Sequence, residues 1–113
     1  MSAITTHILD IASGKPAGNV PVVLEFESDG AWEELGRGTT DKDGRLRDLL
    51  PADFNLRAGT YRLSFGTSAY FSAQNIAGFY PTVTVTFIVT DAAQHYHVPL
   101  LLSPYGYSTY RGS

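Results

Sequence analysis

Apolar residues recur at every second position in short runs, and each run stops at glycine, proline or aspartate. That constrains the chain more than any other feature. In Val20 to Glu27, the side chains of Val20, Val22, Leu24 and Phe26 fall on one face and Pro21, Val23, Glu25 and Glu27 on the other. Thr82 to Val89 repeats the pattern, with Val83, Val85, Phe87 and Val89 set against Thr82, Thr84 and Thr86, and Thr60 to Phe65 places Tyr61, Leu63 and Phe65 together. A period of two belongs to a strand with one buried face. Ile4 to Asp10, Trp32 to Thr39, His95 to Ser103 and Tyr107 to Arg111 are further candidates. Turn formers separate them at positions 12–19, at Asp29-Gly30, at Thr90–Ala93 and at Ser103-Pro104-Tyr105-Gly106, while Thr40 to Arg45 is a turn in which Gly44 supplies a positive φ. Helical spacing is poor everywhere. The best run, Ser68 to Ala77 with Ser68 as cap, is short enough to survive only by docking on a sheet. Seven or eight short strands of this kind predict an all-β, two-layer sandwich.

The 113 residues suffice for one core, so a single domain over 1–113 is expected. A net charge of -3 argues against nucleic acid or an acidic membrane surface as partner. With no cysteine, disulfides and thiol chemistry are excluded. No apolar run approaches the roughly 20 residues of a spanning helix. The opening MSAITTHILD lacks the basic and apolar regions of a leader, so a soluble cytoplasmic protein is expected. The Thr-rich, partly apolar outer faces of the strands suggest that another subunit covers one sheet.

Chemistry concentrates at the end of the chain. In an extended His95 to Ser103, Tyr96, Val98, Leu100 and Leu102 form the core row, which turns His95, His97, Pro99 and Leu101 outward. Burying that row at about 1.5–3 kcal/mol per side chain pins the register. A strand so fixed presents histidines with little positional freedom, which suits a general base. An outward histidine is nevertheless most often a solvated or packing residue. The i,i+2 pair also has the spacing of a metal-chelating pair, although no carboxylate or cysteine nearby completes a set. Thr40-Asp41-Lys42-Asp43-Gly44 resembles part of a calcium loop but lacks its closing glutamate and flanking helices. Arg45 taken alone reads as a surface charge or a partner for Asp43 or Asp48. The tyrosines at 96, 105, 107 and 110 suit a subunit interface or the wall of a site for a flat polar heterocycle.

Three stretches carry a family likeness: Thr6-His7-Ile8-Leu9-Asp10 followed by Gly14-Lys15-Pro16-Ala17, then Thr40-Asp41-Lys42-Asp43-Gly44-Arg45, then the ending Tyr110-Arg111-Gly112-Ser113. In that order and spacing they resemble the 5-hydroxyisourate hydrolases, the transthyretin-like enzymes of purine degradation. The resemblance implies a transthyretin-like sandwich of two sheets and eight strands with one short helix. It implies a homotetramer built as a dimer of dimers, with active sites at the face between dimers. Carried over residue by residue, it makes His7, Arg45, His97 and Ser113 catalytic, and makes Arg45, Tyr110 and Ser113 contacts to the substrate 5-hydroxyisourate. Tyr110 falls where these enzymes close a channel that transthyretin leaves open. His95 has no clear catalytic counterpart. No metal or organic cofactor is implied, and no nucleic acid or membrane partner. The competing expectations are a transthyretin-type carrier of small molecules without catalysis, and a structural or adhesive sandwich.

Overall fold

The computed structural model describes residues 2–113. The chain runs β1 (Ile4–Asp10), β2 (Lys15–Pro16), β3 (Pro21–Ser28), β4 (Ala31–Thr39), β5 (Arg45–Leu46), β6 (Gly59–Phe65), α1 (Thr67–Ser72), β7 (Val83–Val89), β8 (Tyr96–Ser103) and β9 (Gly106–Thr109). Two sheets form. One has the order β2-β1-β8-β9, with β5 also paired to β1; the other has the order β4-β3-β6-β7. Seven segments are full strands, and β2 and β5 are two-residue pairings that share the free edge of β1. All pairings are antiparallel except β1 with β8, which runs parallel from Ile4↔Tyr96 to Asp10↔Leu102. The two-layer sandwich is the one that the alternation predicts, and the single short helix is the one that the family resemblance implies.

The inward rows are the expected ones. Ile4 and Ile8 from β1 and Val98, Leu100 and Leu102 from β8 pack against Val22, Leu24, Tyr61, Leu63, Phe65, Val83 and Val89 of the other sheet. Two tyrosines reach the core without stranding a hydroxyl. Tyr61 Oη donates to Arg57 O (2.6 Å) and accepts from Arg57 N (3.1 Å), and Tyr96 Oη does the same with Asp91 O (3.0 Å) and Asp91 N (3.1 Å). Buried polar groups require such partners. Each bond also ties a loop to the strand that follows it.

The helix differs from expectation at both ends. It starts at Thr67, and Ser68 makes no side-chain cap. The Thr67 hydroxyl instead donates to Tyr80 O (2.7 Å), and Ser68 N bonds to Pro81 O (3.1 Å), so loop backbone satisfies the helix start. It stops early because Asn75 adopts φ 57, with Ile76 N bonding back to Phe71 O (3.0 Å) and Asn75 N to Ser72 O (3.0 Å). That left-handed closure is one that asparagine tolerates. Phe71 is buried and docks the helix on the core. Among the described residues, no helix is long and apolar enough to cross a membrane.

Candidate active site

The parallel pairing of β1 with β8 places the two ends of the chain side by side on the outer face of the first sheet. Thr5 lies opposite His97 and His7 opposite Pro99 in that register. On the other edge of β1, β5 sets Arg45 opposite His7. Two features hold Arg45 there. Gly44, at φ 75, has no room for a side chain, since a Cβ would come 2.3 Å from Ile8 O. Asp41 Oδ1 accepts from Asp43 N (2.8 Å) and Arg45 N (3.0 Å), which closes the turn. The expected turn over Thr40 to Arg45, with Gly44 at positive φ, is present and fixes where Arg45 starts.

These elements enclose a cavity of about 320 Å³ walled by Thr5, Thr6, Arg45, Arg47, His95, His97 and Ser113. Of the residues expected from sequence, Arg45, His97 and Ser113 are therefore on one wall. His7 stands beside it on β1, half-buried, with Nε2 donating to Asp43 O at 2.9 Å. Because a carbonyl only accepts, the proton sits on Nε2, and Nδ1 is the basic nitrogen of the neutral ring. Tyr110 lies elsewhere in the single chain. It is exposed and lines a separate groove of about 250 Å³ with residues of β7 and β9.

Burial pushes the His97 imidazole below its ordinary pKa, and the nearby His95, Arg45 and His7 push it the same way. His7 is lowered too, first by burial and then by Arg45, against the opposing pull of the Asp43 carbonyl. Both rings are thus neutral at neutral pH and able to accept a proton. Arg45 and Arg47 form no close ion pair among the described residues, although the Asp41 carboxylate acts on both from a distance, so two guanidinium groups present positive charge to a cavity with basic rings. Such a wall can bind and polarise oxygen atoms while a neutral imidazole takes a proton. Among the described residues, no three His, Asp or Glu side chains gather as a metal-ligating group.

Sequence reasoning gives no role to four wall residues, Thr5, Thr6, Arg47 and His95. Thr5 accompanies His7 on the outward row of β1, Arg47 follows Arg45 at the i,i+2 spacing, and His95 faces outward with His97, so parity is the available signal for these three. Thr6 lies on the inward row, where its hydroxyl donates to Val98 O (2.6 Å), and parity does not point to it.

The fold and site define a transthyretin-type sandwich with a histidine–arginine cavity. The sequence matches the HIUase/Transthyretin family over residues 4–112, and the chain belongs to that family. A probable 5-hydroxyisourate hydrolase of Caenorhabditis elegans is 48% identical over 112 residues, covering 99% of this chain and 82% of the relative. The crystal structure of sea bream transthyretin in complex with thyroxine superposes with a TM-score of 0.90 at 33% identity, covering 98% of this chain and 95% of that one. The 5-hydroxyisourate hydrolase of Klebsiella pneumoniae superposes with a TM-score of 0.84 at 36% identity, covering 97% and 98%. Carrier and hydrolase share the backbone, so function has to be read from side chains.

Proposed function

We propose that this chain, as a single domain, hydrolyses 5-hydroxyisourate in urate degradation, opening the six-membered ring to give 2-oxo-4-hydroxy-4-carboxy-5-ureidoimidazoline. The observation that carries the reading is the convergence of Arg45, His97 and Ser113 on one cavity, with His7 beside it. Water attacks a ring carbonyl, and the C–N bond breaks. The reaction needs a base for the water, positive charge or donors for the oxyanion, and a proton for the departing nitrogen. His97 through Nε2 and His7 through Nδ1 are the proton-transfer groups. Arg45, with Arg47 beside it, binds the substrate oxygens and offsets the charge that develops on them. Ser113 orients the substrate or water through its hydroxyl. No step calls for a metal or organic cofactor. A carrier would have no use for two desolvated imidazoles beside unpaired guanidinium groups.

The working form is a homotetramer, a dimer of dimers. Its support is the exposed apolar surface at the sheet edges, including Ile88 on β7 and Tyr110 after β9. In that assembly Tyr110 closes the channel over the substrate. The activity test adds the protein to urate and urate oxidase and follows the ultraviolet decay of the transient product. His7→Asn and His97→Asn should each lower turnover at least ~10²-fold while the oligomer stays intact. Near-normal turnover in both variants would sink the assignment.

A further inference from the structure

Thr5 is a threonine on the outer face of a strand, yet it is only 4% exposed. Its hydroxyl lies between two histidines, 2.8 Å from His97 Nδ1 and 3.1 Å from His95 Nε2. The rings are nearly parallel, 16° apart in plane, with centroids 6.5 Å apart. Parallel register explains the placement: Thr5 is the β1 residue opposite His97, and His95 precedes it by two on the same side. A hydroxyl carries one proton, so it can donate to only one ring nitrogen and must accept from the other. With both rings neutral, this leaves two arrangements. In one, His97 Nδ1–H donates to Oγ1 and Oγ1–H donates to His95 Nε2, leaving His97 Nε2 bare. In the other, every donor is reversed and His97 Nε2 carries the proton.

We propose that Thr5 is a positioning residue that couples His97 to His95 as a two-histidine proton relay. The proposal rests on the hydrolase reading and deepens it. In the first arrangement His97 Nε2 takes a proton from the attacking water. Its Nδ1 proton then passes to Oγ1 as the Oγ1 proton passes to His95 Nε2. His97 returns to neutral with its proton on Nε2, and His95, already protonated at Nδ1, becomes the imidazolium. When the C–N bond breaks, His97 Nε2–H protonates the departing nitrogen and the relay runs backwards. One proton has moved from water to leaving group, and both rings end as they began.

The surroundings favour moving the charge outward. His97 is hemmed in by Arg45 on β5, His7 on β1 and burial, all of which disfavour a lasting positive charge. Arg47 also stands on the wall. His95 is exposed, so water can solvate the charge there. Neither histidine can join the other in chelating a metal through the nitrogens that Thr5 occupies.

The test uses the full chain with 15N-labelled histidine. Wild type should show His97 in one tautomer, with the proton on Nδ1. Thr5→Val keeps the branched shape but removes the hydroxyl; it should mix the His97 tautomers and lower kcat at least ~10-fold with little change in KM. Thr5→Ser should restore both within about 3-fold. His95→Phe, at an exposed position, should match the loss in Thr5→Val, and the double variant should be no slower than either single one, because groups in one relay are not additive. His95→Phe alone carries the kinetic test if Thr5→Val does not fold. An active wild type with a near-normal kcat in Thr5→Val or His95→Phe, or losses that multiply in the double variant, would overturn the relay alone. An inactive wild type that keeps the single tautomer would overturn the hydrolase reading and leave the Thr5 bridge standing.

Discussion

Gly112 offers a sharp way to test whether the position of His97 matters. Its backbone N–H donates to His97 O (2.8 Å), an isolated bridge that lays the chain across the histidine. A Cβ at this position would sit 2.6 Å from His97 Cδ2, 3.3 Å from His97 Cγ and 3.2 Å from Pro99 Cγ. Carbon atoms prefer about 3.5–4.0 Å, so Gly112→Ala obliges the imidazole, or the segment that carries Ser113, to withdraw by about 1 Å. The ring cannot give way and keep its bond to Thr5 Oγ1. Misplacing a catalytic group by about 1 Å can cost ~10²-fold, or about 2.7 kcal/mol in the barrier. Folding should be spared, because residue 112 belongs to no named strand and makes a single bridge. The assay is the decay of freshly generated 5-hydroxyisourate, run beside a thermal melt. Gly106→Ala is the control, since its Cβ would meet only Ser103 Oγ at an ordinary 3.6 Å. Turnover of Gly112→Ala within about 3-fold of wild type, with an unmoved His97 resonance, would refute the reasoning.

Charge and hydrogen bonding set the remaining expectations. Because His7 and His97 are both held below the ordinary imidazole pKa of 6.5, the acid limb of kcat/KM should lie below pH 6.5. Folded protein then binds fewer protons than unfolded chain as pH falls through 6.5, so these two groups withdraw stability on acidification down to their folded pKa values and no further. Arg45→Gln removes a cation that lowers both rings, and both histidine titrations followed by NMR should move up; unmoved titrations would contradict the site geometry. Tyr70→Phe deletes a bond from Tyr70 Oη to Asp10 Oδ2 (2.7 Å), while Asp10 Oδ1 still accepts from Ala12 N (3.0 Å) and Ser13 N (3.1 Å). Stability in urea should fall by about 1–3 kcal/mol with turnover unchanged.

Much of this was legible in sequence because alternation is a local signal. Tyr96, Val98, Leu100 and Leu102 announce their face by parity alone, and a one-residue slip would bury His97 in their place. Gly44 announces its turn, and Arg45 follows from it. The helix was harder. The hydroxyl of Thr67 and the amide of Ser68 are claimed by the loop at Tyr80 and Pro81, a tertiary choice that no local spacing reveals. Pro99 sits on the outward row yet is buried, with Gly112 lying against it. The two-residue strands β2 and β5 were invisible for a similar reason. Neither has a pattern of its own, and both exist because β1 has an edge to offer. The Thr5 bridge needed the parallel register of β1 and β8, which joins residues more than ninety positions apart.

That register also bears on how the molecule comes into being. As translation proceeds, β1 emerges well before β8 and waits, with one edge bare, for a partner strand encoded far downstream. Partners so remote in sequence close late and at high entropic cost, which slows folding. Until then the early segment is an unpaired template open to any passing strand. Bringing Thr5 beside His97 and losing the risk of aggregation are therefore one event, the zippering of β8 against β1.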